Sequence, residues 1–408
     1  ISSIECSSNG DNMNSIFKGI SSLHNIYKII VTAITAASIL AFSVNVSYSQ
    51  EFEIGIGTHI SYYPESSNYY VELVKKYGFT SIRDELPWTN VDNGDGTYSI
   101  PKYRQKNDEL FSTANLSEKM SSMIVLDYGH SKYTKGGYPQ NDNDIEQFAR
   151  YAAWIANRYK GKIKYYEIWN EWLLGTGIKP GLQKYRPSDE IFFKLVKETS
   201  KKIKENDPDA IIITGSFNPN NERDKKWIIG LLDRGLLNFV EGLSLHPYTY
   251  NTGSAIKESA EGNIAIIDDF ETQLKQKYKK TIPLYITEIG MPTYKGRWGV
   301  TEDIAGLFAL KYTLLAKSRK YIKGIWWYDL KDDGNDDKNK EHRFGFFNYN
   351  FQEKKSATFF LNNKLVLNEC YIQEGKNIVK AQLICGEEAK DIALDNRYFL
   401  SNVNSYRR

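Results

Sequence analysis

Several things are scarce in this chain of 408 residues: it has 3 Cys, 5 His and 11 Pro, and 53 basic against 50 acidic side chains leave a net charge of only +3. So even a balance offers no electrostatic footprint for nucleic acid. His59, His130, His246 and His342 are scattered and no His-Glu-x-x-His occurs, so there is no zinc-binding spacing. Pro 11 and Gly 29 within an otherwise ordinary composition exclude collagen, low-complexity scaffolds and long-range disorder. No internal repeat of solenoid period is visible. No Gly-x-Gly-x-x-Gly follows the first strand, which removes the usual dinucleotide fingerprint.

What the chain has in excess is aromatic: 29 Tyr, 19 Phe and 8 Trp, together 14%. Large cores use aromatics, and so do surfaces that stack on flat apolar faces.

The run Ile29–Gln50 carries no charge, is preceded by Lys18 and Lys28, and ends in Ser47-Tyr48-Ser49. A basic region, an apolar stretch and small residues at the cleavage positions make a secretory signal peptide, residues 1–49, cut after Ser49. An uncleaved membrane anchor is the alternative. Met13 is a more natural start than Ile1, so residues 1–12 are expected to lie outside the translated protein. The expected location is secreted or periplasmic. Cys370 and Cys385 are the two cysteines beyond the signal. An oxidising compartment permits a bridge between them, and two buried thiols are the other reading.

Beyond the signal, short β-branched or apolar runs alternate with helical spacing. The runs are 53–59, 80–86, 120–128, 163–171, 210–216, 240–248, 283–291 and 322–329. Helices are expected over 68–77, 144–159 with Asp144 as N-cap, from Ser188 to Pro208, and over 224–234, 263–278, 301–318 and 351–360. Eight strand–helix units favour a closed (β/α)8 TIM barrel over residues 50–360, with a doubly wound open sheet as the alternative. Residues 361–408 alternate in 377–385 and read as a short β-rich tail, either an incomplete accessory domain or a piece packed on the barrel.

In such barrels chemistry sits where the strands end. The fourth ends in Tyr166-Glu167-Ile168-Trp169-Asn170-Glu171 and the seventh in Tyr285-Ile286-Thr287-Glu288. Two carboxylates on strands three apart face each other across the mouth, which is what glycosidic bond cleavage needs. With these residues the chain resembles the clan A glycoside hydrolases over residues 53–360. Within the clan, Trp169-Asn170-Glu171, His246-Pro247-Tyr248 and Tyr328-Asp329-Leu330 look most like family 39 and family 5-type enzymes.

The resemblance implies Glu171 as acid/base, Glu288 as nucleophile and Asn170 on the sugar 2-hydroxyl. It also implies Arg83 keeping the nucleophile ionised, His246 and Tyr248 beside the pair, and a strand-eight Trp as sugar platform. Trp326 and Trp327 compete for that last place, and alternation favours Trp327. His130, Trp88 and Trp298 are further subsite candidates. Glu167 reads as a buried carboxylate paired with a base, and Asp332, Asp333, Asp336 and Asp337 as solvated charges. A negative neighbour is expected to keep Glu171 protonated at rest. The function implied is a retaining glycoside hydrolase acting on an oligo- or polysaccharide without metal or organic cofactor. A transglycosidase and an inactive sugar-binding barrel are the alternatives.

Overall fold

The computed structural model describes residues 52–113, 120–375 and 381–404. The signal segment lies outside them. Eight parallel strands close into a barrel in sequence order: β1 (Glu53–Gly57), β2 (Ser81–Glu85), β3 (Ser121–Leu126), β4 (Tyr165–Ile168), β5 (Ile211–Phe217), β6 (Gly242–Leu245), β7 (Leu284–Ile289) and β8 (Ile322–Trp327). β8 pairs with β1, Glu53 lying opposite Gly324, so the sheet has no edge. Seven of the strands fall inside the expected runs, and β5 runs one residue past its own, to Phe217. The open doubly wound alternative is thereby excluded.

Long amphipathic helices ring the barrel. Helix Asp142–Arg158 buries Ile145, Phe148, Ala149, Ala152 and Ile155, the spacing seen in the sequence. Its N-cap is Asn141, whose side chain accepts from the Asp144 amide; Asp144 sits one turn inside. Thr301 caps Glu302–Lys317 in the same way. The last barrel helix is Lys355–Asn362, shorter than expected because Phe351 has φ +59° and ends a turn. Helix Gln105–Thr113 is not among the expected ones, since its apolar stripe is thin, burying only Leu110 and Phe111 with Asn107.

Inside the barrel the side chains form layers. The lower layer is Met123, Tyr165, Ile213, Tyr285 and Trp326. Trp326 occupies space that two glycines vacate: a Cβ on Gly55 would stand 2.1 Å from Trp326 Cδ1, and one on Gly324 would stand 2.9 Å from its six-membered ring. Above this layer comes the polar one that carries the site.

The tail makes a three-stranded antiparallel sheet, β9 (Cys370–Glu374), β10 (Ala381–Cys385) and β11 (Glu388–Ile392), followed by helix Asn396–Asn404. Residues 377–380 of the expected alternating stretch lie outside the described residues. Cys370 and Cys385 are cross-strand partners joined by a disulfide. The sheet packs on helix Glu302–Lys317, and Ile372, Leu383, Phe399 and Val403 join the main core. Lys311, buried in that helix, donates to Glu261 Oε1 (2.7 Å), the Leu394 carbonyl (2.8 Å) and Asn396 Oδ1 (2.8 Å). Arg319 pairs with Asp268 and with Glu374 of the tail.

Lys311 is therefore the bolt of the tail. Lys311→Ala should lower stability by about 2 kcal/mol, because it leaves the Leu394 carbonyl unpaired and takes the partner from the half-buried Glu261. A drop of several degrees in thermal midpoint by calorimetry is expected, with the barrel still folded.

Candidate active site

Arg83 projects from β2 into the barrel and organises the upper layer. Its Nε donates to Glu167 Oε2 at 2.8 Å, Nη1 to Glu288 Oε1 at 2.8 Å and Nη2 to Asn170 Oδ1 at 3.1 Å. Three residues from two other strands are thus gathered on one planar fork. Glu167 is the buried paired carboxylate expected from its sequence. Burial pushes its acidity toward the neutral form, but the charges of Arg83 and His246 outweigh that and hold it below its ordinary value.

The backbone bends to present these groups. Trp169 (φ +65°), Glu171 (φ +49°) and Ser216 (φ +45°) take left-handed conformations that non-glycine residues rarely adopt. The first two turn the chain at the end of β4 so that Asn170 and Glu171 both reach the mouth, while the Trp169 ring packs outward against Phe148 and Trp172. In β7 the pairing with β8 shifts between Ile286 and Ile289. Such a bulge lets two consecutive side chains, Thr287 and Glu288, face the interior.

Hydrogen-bond direction can be followed through the layer. Glu167 Oε1, an ionised acceptor, takes Ser216 Oγ at 2.9 Å and Thr287 Oγ1 at 2.8 Å. The single Thr287 proton is committed there, so its oxygen accepts from His246 Nε2 at 3.1 Å. That fixes a proton on Nε2 and turns Nδ1 to Glu171 Oε1 at 2.9 Å. Thr176 donates to Glu171 Oε2, and Tyr248 donates to Glu288 Oε2 at 3.3 Å.

Glu171 and His246 therefore share one line for a mobile proton. For His246, burial opposes charge, but the Glu288 carboxylate and the bond and charge of Glu171 prevail, and its basicity is raised. For Glu171, burial raises the value, yet the His246 hydrogen bond and charge, then Thr176 and Arg83, bring it below the ordinary carboxylate range. The expected upward push on Glu171 is not found. Both directions favour the histidine side of the pair for that proton.

One nearest oxygen of Glu171, one of Glu288 and a His246 nitrogen lie within 4.8 Å of one another. They open on a cavity of about 510 Å³, also bordered by Glu85, Asp127, Tyr128, Tyr250, Tyr328 and Phe344. Of the expected residues, Arg83, Asn170, Glu171, His246, Tyr248 and Glu288 converge here.

The tryptophans and His130 do not border this cavity. Trp327 points outward, donating to Thr313 Oγ1 (3.2 Å) and packing on Phe308 and Tyr312. Trp326 points inward but two residues too deep, bonded to Ser81. Tyr328, next on the inward side, takes the wall position. Trp88 is fully buried, stacked on Tyr133 and bonded to Asp92, and His130 packs on it and bonds the Asp92 carbonyl. Trp298 is half-buried under the Arg297 guanidinium. Nor are all four loop aspartates solvated: Asp332 is buried between Lys354 (2.8 Å) and Arg343 (3.3 Å). Thr287, Ser216 and Thr176 went unseen in the sequence, and only the position of Thr287 beside Glu288 hinted at it.

A closed parallel barrel with two carboxylates at its mouth, beside Arg, Asn, His and Tyr, defines a barrel glycosidase. The chain belongs to glycosyl hydrolase family 5: the family model described as Cellulase (glycosyl hydrolase family 5) matches residues 46–331. It is 23% identical to Endoglucanase 1 of Ruminococcus albus over 290 residues, 69% of each chain. In shape it is similar to a family 39 glycoside hydrolase from Bacteroides cellulosilyticus WH2, at TM-score 0.64 and 22% identity, over 84% of this chain and 70% of that one. Xylanase 10B from Thermotoga maritima matches at TM-score 0.52 and 15% identity, over 78% and 96%. The resemblance to the clan is thereby confirmed, with family 5 as the family and family 39 among its neighbours in shape.

Arg83→Lys cannot reproduce three bonds in one plane. Losing two charged hydrogen bonds of about 1.5–3 kcal/mol each should lower kcat/KM by at least about a hundredfold. Steady-state kinetics on a soluble glycan, with circular dichroism to confirm folding, checks this.

Proposed function

We propose that this glycosidase is an exported, retaining enzyme that cleaves internal bonds of a β-linked glucan, with Glu288 as nucleophile and Glu171 as acid/base. The observation that carries the mechanism is the closeness of the two carboxylates, with oxygens inside 4.8 Å. Retaining enzymes hold them about 5–5.5 Å apart, whereas inverting ones leave about 6.5–9.5 Å for a water. The family description and the endoglucanase relative support a glucan and internal attack. The uncharged N-terminal run and the disulfide support export. No helix among the described residues is long and apolar enough to cross a membrane.

In the first step a Glu288 oxygen bonds to the anomeric carbon. The glycosidic C–O bond breaks, its electron pair stays on the leaving oxygen, and that oxygen takes the proton of the Glu171–His246 pair through Glu171. In the second step water attacks the anomeric carbon, gives a proton to Glu171 and releases Glu288 as carboxylate. Asn170, oriented by Arg83, meets the sugar 2-hydroxyl, and Tyr248 steadies Glu288. The Tyr128, Tyr250, Tyr328 and Phe344 faces supply the apolar wall against which sugar rings pack.

The test is hydrolysis of carboxymethylcellulose and mixed-linkage β-glucan by the chain from Gln50 onward, with the first anomer followed by NMR. Retained configuration and a fast fall in viscosity are expected; an inverted anomer would sink the nucleophile assignment. Glu288→Gln should lower kcat by at least about four orders of magnitude while the fold persists.

The raised His246 predicts the alkaline limb. The pair keeps its proton past the ordinary imidazole value of about 6.5, so kcat/KM should hold through neutral pH and fall as pH rises above it. Thr287→Val removes the acceptor of the Nε2 proton and should move that limb toward acid, whereas Thr287→Ser should restore it. A pH profile unchanged in Thr287→Val would refute the relay.

A further inference from the structure

Beside the two glutamates, in the wall of the same cavity through His59, a second group of side chains converges where β1 and β8 end. His59 follows β1, and Asp329 and Asp333 follow β8. His59 Nε2 lies 3.8 Å from Asp329 Oδ2 and 3.9 Å from Asp333 Oδ1, and the three atoms are all within 4.8 Å of one another. Asp329 is 1% exposed, and neither of its oxygens has a hydrogen-bond partner. A buried carboxylate without donors is costly unless something else satisfies it. The neighbouring cation does not: Lys331 Nζ sits 4.0 Å over the Tyr349 ring and forms no ion pair with Asp329 or Asp333 among the described residues.

The surroundings have the form of a ligand shell. Tyr328 donates to Asp333 Oδ2 at 3.3 Å, which leaves Oδ1 toward His59. Such outer bonds orient metal-binding carboxylates. Asp329 is held from both sides by backbone, since the Phe346 amide donates to its carbonyl and the next amide, Leu330, donates to Gly57. His59 and Asp333 are 30% and 34% exposed at the side chain, so the outward face is open to water.

We propose that His59, Asp329 and Asp333 bind a divalent first-row cation of the zinc or manganese class, with water completing its coordination. One imidazole and two carboxylates suit such ions, whereas calcium prefers a cage of six to eight oxygens. Metal–ligand bonds of about 2.0–2.2 Å place ligands roughly 3.3–3.5 Å apart. His59 must approach each carboxylate by about half an ångström and the two carboxylates must also draw together from within 4.8 Å, which the partly exposed His59 and the exposed Asp333 are free to do. The ion would tie the end of β1 to the segment after β8 that sets Tyr328 in the pocket wall. The ligands come from opposite ends of the chain and form no linear motif, which is why the sequence carried no metal signal.

The experiment is calorimetric titration of zinc chloride into the chelator-treated, dialysed full chain, with calcium chloride as comparison. One equivalent of saturable zinc binding is expected, at least tenfold tighter than calcium, with a thermal midpoint that rises with zinc concentration. Asp333→Asn and His59→Gln should each weaken binding at least tenfold, with unchanged far-ultraviolet circular dichroism. Glu171→Gln should leave zinc affinity as in the parent chain. Absence of saturable binding, calcium binding as tight as zinc, or affinity untouched by both Asp333→Asn and His59→Gln would overturn the proposal. So would loss of binding in Glu171→Gln with retention in Asp333→Asn, since the ion would then belong to Glu171, His246 and Glu288.

Discussion

A guanidinium that cannot lose its proton has been placed inside a barrel, and the upper half of the molecule is arranged around that fact. Arg83 is only 8% exposed at the side chain, so its charge must be met by protein. Glu167 meets it from below, Glu288 from across the barrel and Asn170 from the end of β4. Glu167 is in turn satisfied by Ser216 and Thr287, and Thr287 orients His246. One buried cation thus fixes, through these bonds, the position of both carboxylates and the orientation of the histidine between them. Among these five ionisable groups, three carboxylates stand against two cations. The excess negative charge suits a transition state in which positive charge develops at the anomeric carbon.

The geometry needs backbone that a regular strand cannot supply. Alternation along β4 would send Asn170 and Glu171 to opposite faces, and along β7 it would do the same to Thr287 and Glu288. The left-handed residues Trp169 and Glu171 in the first case, and the register shift before Ile289 in the second, bring both members of each pair to one side. Strain of about 1–3 kcal/mol per residue persists only where packing overdetermines it. Here the buried rings of Trp169 and Trp172 and the Arg83 fork provide that constraint.

Eight strands and most helices were legible because their signals are local: β-branched runs, apolar spacing, and caps such as Thr301. The pair Glu171 and Glu288 was legible because strand ends define the mouth. The tryptophans were misread because alternation gives side but not depth. Trp326 faces inward, yet it fits below the site only through Gly55 and Gly324, one on its neighbouring strand and one two residues earlier. Trp88 is taken into the core by Tyr133 and Phe148, contacts between residues far apart in sequence. The direction of the Glu171 shift was equally hidden, for it depends on a 2.9 Å approach of His246 that no spacing encodes.

That approach changes how an acid can work here. A carboxyl held below its ordinary range by His246 is a poor proton store by itself. The store is the pair, with the proton resting on His246, and the leading support for that proton is the charge of Glu288. On the proposed mechanism this charge vanishes as Glu288 bonds to the sugar. The support is withdrawn while the leaving oxygen is gaining negative charge, so donation becomes easier at the moment it is needed. When water later frees Glu288, its charge returns and favours recapture of a proton by the same pair. Attack by one carboxylate and donation from the other are in this way coupled electrostatically across the imidazole, with no group required to shuttle between them.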